Sequence, residues 1–196
     1  TALGNGLSSA EKYEDALSVQ EAELSMARRV GGSALSILDL QTNLADTYRL
    51  LGRIDEALLM QRDVYSERVR LHGEEHEKTV IAASNYACSL SQLKRFEETK
   101  SLLRKIMPVA PHVLGESHEI TLRMRWTYAA ALYNNTGATL DDLREAATTL
   151  EDTERTVRRV FGCEHPFTVE IGTSLRNSRT VLRAREDGKR VKFVKH

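Results

Sequence analysis

Three histidines stand at matched places in a recurring phrase. Gly73-Glu74-Glu75-His76, Gly115-Glu116-Ser117-His118 and Gly162-Cys163-Glu164-His165 share the form Gly-x-x-His, and Thr79, Thr121 and Thr168 follow three residues after each His. Imidazoles in a set suggest metal chemistry. Their spacing argues against it. One His per structural unit puts their Cα atoms about 10 Å apart, the distance between neighbouring helix pairs. No Cys or carboxylate spacing completes a zinc set. Each His reads instead as the start of a helix, ordering the turn before it. No metal or cofactor is expected.

Other reactive groups are equally scattered. Cys88 and Cys163 are far apart in sequence and lack the flanking groups of a nucleophile or redox pair. Cys88 lies in an apolar or small-residue stretch, as a buried or groove-lining thiol would. Glu97-Glu98, Asp141-Asp142 and Glu151-Asp152 are adjacent acids, which a helix points about 100° apart, so they make no catalytic dyad. Asp141-Asp142 favours a helix start. There is no glycine-rich phosphate loop and no Gly-x-Ser-x-Gly elbow. The chain reads as no enzyme.

The phrase must be positioned by elements that repeat with it. Gly73 to Gly115 is 42 residues and Gly115 to Gly162 is 47. A period of this size means stacked supersecondary units. Tyr13-x-x-Ala16, Ile54-x-x-Ala57, Phe96-x-x-Thr99 and Leu143-x-x-Ala146 recur in step, as do Ala45, Ala87 and Ala129. Small residues suit close helix crossings. Between them, Leu40, Leu44, Tyr48 and Leu51 follow helical spacing. The 47-residue step contains a five-residue insertion around Asn134-Asn135-Thr136-Gly137, expected in a loop on one face.

The resulting map places the tail of a helix at residues 1–5 and its partner at 9–30. Pairs follow at 34–51 with 54–71, 76–93 with 96–112, and 118–134 with 140–161. A last helix at 166–184 closes the stack. Pro108 and Pro111 should kink or end the helix from residue 96 early, and Pro166 suits a helix start. Arg176, Asn177, Arg179 and Arg183 suit the polar outer face of a capping helix, and Arg176 occupies the slot of the three alanines.

Lys plus Arg equals Asp plus Glu, 28 each, so no global field draws the chain to nucleic acid or an anionic membrane. No run approaches the roughly 18 apolar residues of a membrane span, and no signal peptide opens it. The first residue is Thr, which suggests processing or truncation. Two cysteines fit a reducing, intracellular, cytoplasmic setting, with an organelle lumen left open.

The pattern resembles the tetratricopeptide repeat. Its period, with Leu114-Gly115-Glu116-Ser117-His118-Glu119-Ile120-Thr121 and Phe161-Gly162-Cys163-Glu164-His165-Pro166-Phe167-Thr168, is similar to the kinesin light chain subgroup and its Leu-Gly-x-x-His-Pro-x-Thr phrase. Asn43-Leu44-Ala45 and Asn85-Tyr86-Ala87 match the subgroup's Asn-Leu-Ala. The resemblance implies a concave groove lined by first helices, where such an Asn holds a peptide backbone through a carboxamide that both donates and accepts. By that carry-over Asn43 and Asn85 are groove candidates. The matching Thr127 and Ser174 are shorter. The same face adds Asp39, Asp46, Arg49, Ile81, Cys88, Gln92, Arg123, Ala130 and Tyr133. Trp126, the single Trp, reads as a peptide anchor or a core ring.

These observations predict an all-α fold, a right-handed α-solenoid of antiparallel helix pairs with about four repeats plus a capping helix over residues 1–184. A basic tail follows over 185–196, solvated or touching an acidic partner or RNA. The expected function is non-catalytic binding of a peptide or protein partner in the groove. The competing readings are an architectural subunit of a large assembly and a regulatory domain of an enzyme.

Overall fold

The computed structural model describes residues 2–188, with side chains from Lys12 onward. The basic run Lys189–His196 lies outside the described residues. The helices are α1 (Ala2–Arg29), α2 (Ala34–Leu50), α3 (Ile54–His72), α4 (Glu77–Gln92), α5 (Phe96–Ile106), α6 (Ala110–Leu114), α7 (Glu119–Asn134), α8 (Leu140–Phe161) and α9 (Pro166–Glu186). No strand occurs among the described residues. The fold class is the all-α helical-repeat solenoid that the period predicts. The chain divides into two compact units, Thr1–Leu93 and Lys94–His196.

In the first unit each helix packs on the next, α1 on α2, α2 on α3 and α3 on α4, with a lighter contact between α2 and α4. Leu17 and Leu24 of α1 meet Leu44 of α2, and Tyr48, Leu51 and Met60 close around them. Leu38, Val64 and Ala82 join α2, α3 and α4. In the second unit α7 packs against α5, α8 and α9, while α8 also packs against α9. Leu103, Leu122, Leu143, Leu150 and Ile171 are fully buried there. Of the small residues that keep step in the sequence, Ala45, Ala57, Ala87, Thr99, Ala129 and Ala146 have no exposed surface, while Ala16 is half-buried. A larger side chain there would hold neighbouring backbones apart.

The recurring phrase builds the turns into α4, α7 and α9. Gly73, Gly115 and Gly162 have φ of 79°, 104° and 87° with ψ near extended, a region essentially restricted to glycine. His76, His118 and His165 are the N-caps of α4, α7 and α9. Each accepts through Nδ1 from the backbone N–H two residues on, of Lys78, Ile120 and Phe167, at 3.2, 3.2 and 3.3 Å. An imidazole thus satisfies one of the orphan donors of a helix start, as Ser or Asp usually does. Thr79 donates to the Arg68 carbonyl at 3.3 Å and Thr121 to the Gly115 carbonyl at 2.9 Å, tying the new helix to the chain before it. Thr168 is buried without such a bond.

One expectation changes. The break placed between residues 5 and 9 is absent, and α1 runs unbroken from Ala2 to Arg29. No proline stands there, and Gly4 and Gly6 weaken a helix without ending it. The helix from residue 96 ends early, at Ile106, as its prolines predict, and the short α6 follows with Pro111 in its first turn, where a missing N–H costs nothing. The acids at 141 and 142 do start a helix. Thr139 and Asp142 form a reciprocal capping box on α8. Lys94 replaces the turn glycine found at Gly52 and takes φ of 59°, an unfavourable backbone for a side chain.

Candidate functional site

The candidate site is the face of α2 and α4 in the first unit. Asn43 lies mid-way along α2 and is exposed, and Asn85 holds the same register on α4 and is half-buried. Among the described residues neither carboxamide has a hydrogen-bond partner, so both keep a donor and an acceptor for an incoming group. A cleft of about 100 Å³ beside Asn43 is lined by Asp39 and Thr42 of α2, Arg68 of α3, and Lys78, Ile81 and Ala82 of α4. Asn85 sits one helical turn beyond Ile81 and Ala82.

The electrostatics of this cleft come from α3. The Arg68 side chain is only 4% exposed and donates through Nη2 to Asp39 at 2.6 Å. Lys78 Nζ reaches the same carboxylate oxygen at 3.5 Å. Two cations therefore share one carboxylate, and the cleft is left with an excess of positive charge. Next to it, His72 stacks on His76 with centroids 4.2 Å apart. Partial desolvation, then the neighbouring His76 and Arg68, push the His72 imidazole below its usual pKa. Neither Arg68 nor Lys78 is among the residues picked from the sequence. A signal existed: Ala110 and Val157 keep step with Arg68, so a guanidinium stands where the other units are apolar.

The remaining candidates of the first unit flank this cleft. Asp46 and Arg49 form an ion pair at 3.8 Å. Gln92 is exposed at the end of α4, and Cys88 is half-buried one turn before it. In the second unit the picture differs. Arg123 pairs with Glu119 along α7. Trp126 is no free anchor: Nε1 donates to Ser174 Oγ at 2.8 Å and the ring meets Phe167 edge-on at 5.8 Å. Ser174 thus stands in the Asn register and is engaged by the indole. Thr127 and Tyr133 are each 7% exposed. The expectation that they line an open groove is corrected accordingly, since both side chains are withdrawn into packing. The equivalents of Asn43 and Asn85 are therefore closed in α7 and α9.

Deeper in the same unit, Tyr128 donates to Glu145 at 2.7 Å and accepts from Arg104 Nε at 2.8 Å. Burial, then the Glu145 carboxylate, push the phenol up to about 12. The Lys100 ammonium at 2.6 Å, with Thr139, holds the Asp142 carboxyl down to about 2. Both are structural ties between helices. Among the described residues no three His, Cys, Asp or Glu side chains gather to hold a metal, and no helix is long and apolar enough to cross a membrane.

The turn, the register and the helix order together define the repeat, and residues 1–66 match the tetratricopeptide repeat family. The first third of the chain is thus similar to tetratricopeptide repeats. Solved structures bear this out at the level of fold. A protein of Podosopora anserina described as a kinesin light chain with nearly identical TPR-like repeats superposes with a TM-score of 0.71 at 19% identity, covering 95% of this chain and 89% of that one. A single-residue variant of it reaches 0.73 at the same identity and coverage. BtubC (BKLC) from P. vanneervenii reaches 0.65 at 14% identity, over 94% of this chain and 78% of that one. No curated protein matches the chain. In the order of this chain's own period, α2, α4, α7 and α9 are the first helices of their units, and α1, α3, α5 and α8 the second.

Proposed function

We propose that this tetratricopeptide-repeat chain is a non-catalytic protein-interaction module that grips an extended segment of a protein partner along the first-helix face of α2 and α4. The observation that supports this most is the pair of unengaged carboxamides at Asn43 and Asn85, in matched register on neighbouring first helices. A carboxamide can bond a peptide group whatever side chain follows it. Side-chain selectivity would come from the cleft between them, where Arg68 and Lys78 surround Asp39. Binding belongs to the first unit on this reading, because Trp126 occupies Ser174 in the second. The partner is a protein, met inside the cell, and nucleic acid is not required.

A second reading is an architectural subunit. It draws on one observation: Val19 and Met26 of α1 are 58% and 50% exposed, on one side of the helix, and Val30 just past its end is 69% exposed. A stripe of that kind suits permanent burial against a neighbour.

A random peptide library displayed against the full chain separates the two. Selected peptides should lose at least about tenfold in affinity for the Asn43→Ala/Asn85→Ala variant while its thermal midpoint stays within a degree or two, which is hot-spot behaviour. Selected peptides that bind wild type and variant alike would rule out this face as the grip.

A further inference from the structure

The second unit carries a groove that no peptide-binding reading uses. It runs between α8 and α9, with a volume of about 610 Å³. Its walls include Arg155 and Arg158 of α8 and Val169, Gly172, Arg176 and Arg179 of α9. The same face of α7 is closed. Leu122, Ala129 and Leu132 stand 47 residues before Val169, Arg176 and Arg179, and they are 0%, 0% and 1% exposed. On α9 the matching Val169 is 53% exposed, and both arginines are exposed. The register that is packed around α7 is thus open on α9, and two of its apolar members have become arginine.

Charge says what fits. Four guanidiniums line the groove against two carboxylates, Glu151 and Glu154. Both carboxylates are already engaged: Glu151 with Arg179 at 2.7 Å, and Glu154 with Arg158. Arg155 reaches Asp152 only at 3.5 Å, on the exposed side of α8. Arg176 donates to the Thr173 hydroxyl at 2.9 Å and meets no carboxylate. Between these two cations the floor is apolar or bare, with Val169, Leu175 and Gly172. Gly172 is a helix-interior glycine with normal φ, and a Cβ there would find only the Arg176 guanidinium, at 3.8 Å. Nothing in the helix itself calls for glycine, which weakens a helix interior. What its lack of a side chain provides is backbone open to close approach.

We propose that this groove docks an acidic amphipathic helix from a protein partner. Apolar residues of that helix would lie over Val169, Leu175 and Gly172, and carboxylates on its flanks would meet Arg155 and Arg176. Helix-in-groove recognition needs this combination of an apolar floor and charged rims. The basic run Lys189-Arg190-Val191-Lys192 of the chain itself has the wrong sign for the site.

The test uses a 21-residue helical peptide with leucines on one face and glutamates on both flanks, and a control with lysines for glutamates. Binding to the full chain is followed by calorimetry. The glutamate peptide should bind, more weakly as salt is added, and the lysine peptide should not. Arg155→Glu/Arg176→Glu should weaken binding by at least about tenfold, with the circular dichroism spectrum unchanged. Asn43→Ala/Asn85→Ala should leave it intact, which separates this site from the first-helix face. Equal binding of both peptides, or binding that survives the charge reversal, would overturn the proposal. So would no binding of the glutamate peptide, preferential binding of a duplex oligonucleotide that the reversal abolishes, or self-association of the chain through these arginines.

Discussion

Arg68 Nη2 lies 2.6 Å from Asp39 Oδ1, with the guanidinium buried and the carboxylate half open to solvent. The pair is the floor of the candidate site and a tie between α2 and α3. Removing the carboxylate leaves a buried cation without its ion-pair partner and with the Lys78 ammonium close by. Asp39→Ala should therefore destabilise by about 1–3 kcal/mol. Arg68→Met removes charge and bond together and should cost less than Asp39→Ala, because apolar residues fill that register in the other units. Urea unfolding of the two variants checks the order, and the reverse order would show that Arg68 acts through packing alone.

The imidazole caps give a second prediction. His118→Ala should cost about 0.5–2 kcal/mol, the usual range for a lost N-cap acceptor. His118→Asp should restore most of that, since a carboxylate can accept from the same Ile120 N–H. If Asp and Ala behave alike in thermal unfolding, the histidine is not acting as a cap.

Lys94 and Gly115 form a matched pair of opposite sign. Lys94→Gly relieves a left-handed backbone at φ of 59° and should stabilise by roughly 0.5–1 kcal/mol. Gly115→Ala forces a side chain onto φ of 104° and ψ of 151° and should destabilise by about 1–3 kcal/mol. Chemical denaturation midpoints measure both.

Asp142 should shape the acid limb of stability. Its carboxyl is held at about 2 against an ordinary 3.8 by Lys100 and Thr139, and it is 13% exposed. A depressed folded-state value stabilises above the unfolded value and is lost as pH falls towards 2. The contribution is roughly 2 kcal/mol at neutral pH. Asp142→Asn should lose that much near pH 6 and approach wild type near pH 2. A difference that does not narrow on acidification would assign the effect to the capping geometry alone.

The parts legible in the sequence are those with a steric reason. Ala45, Ala87 and Ala129 repeat because helices cross there, and all three are fully buried. The histidines repeat because each begins a helix, and the turn glycines because of their backbone angles. Pairwise chemistry was harder to read. Nothing in spacing reveals that Trp126 bonds Ser174 across 48 residues, or that Arg68 reaches 29 residues back to Asp39. Tyr133 fits the groove face by helical spacing, and burial withdraws it to 7% exposure. The repeat pattern puts a break before residue 9, yet no proline stands there to end a helix, and α1 is continuous.

The central claim is that a partner segment lies along α2 and α4. Backbone hydrogen exchange of the full chain, with and without a selected peptide at saturating concentration, tests it most directly. The account predicts added protection centred on residues 39–46 and 78–88. Protection confined to α3, or to the second unit with α2 and α4 unchanged, would contradict it.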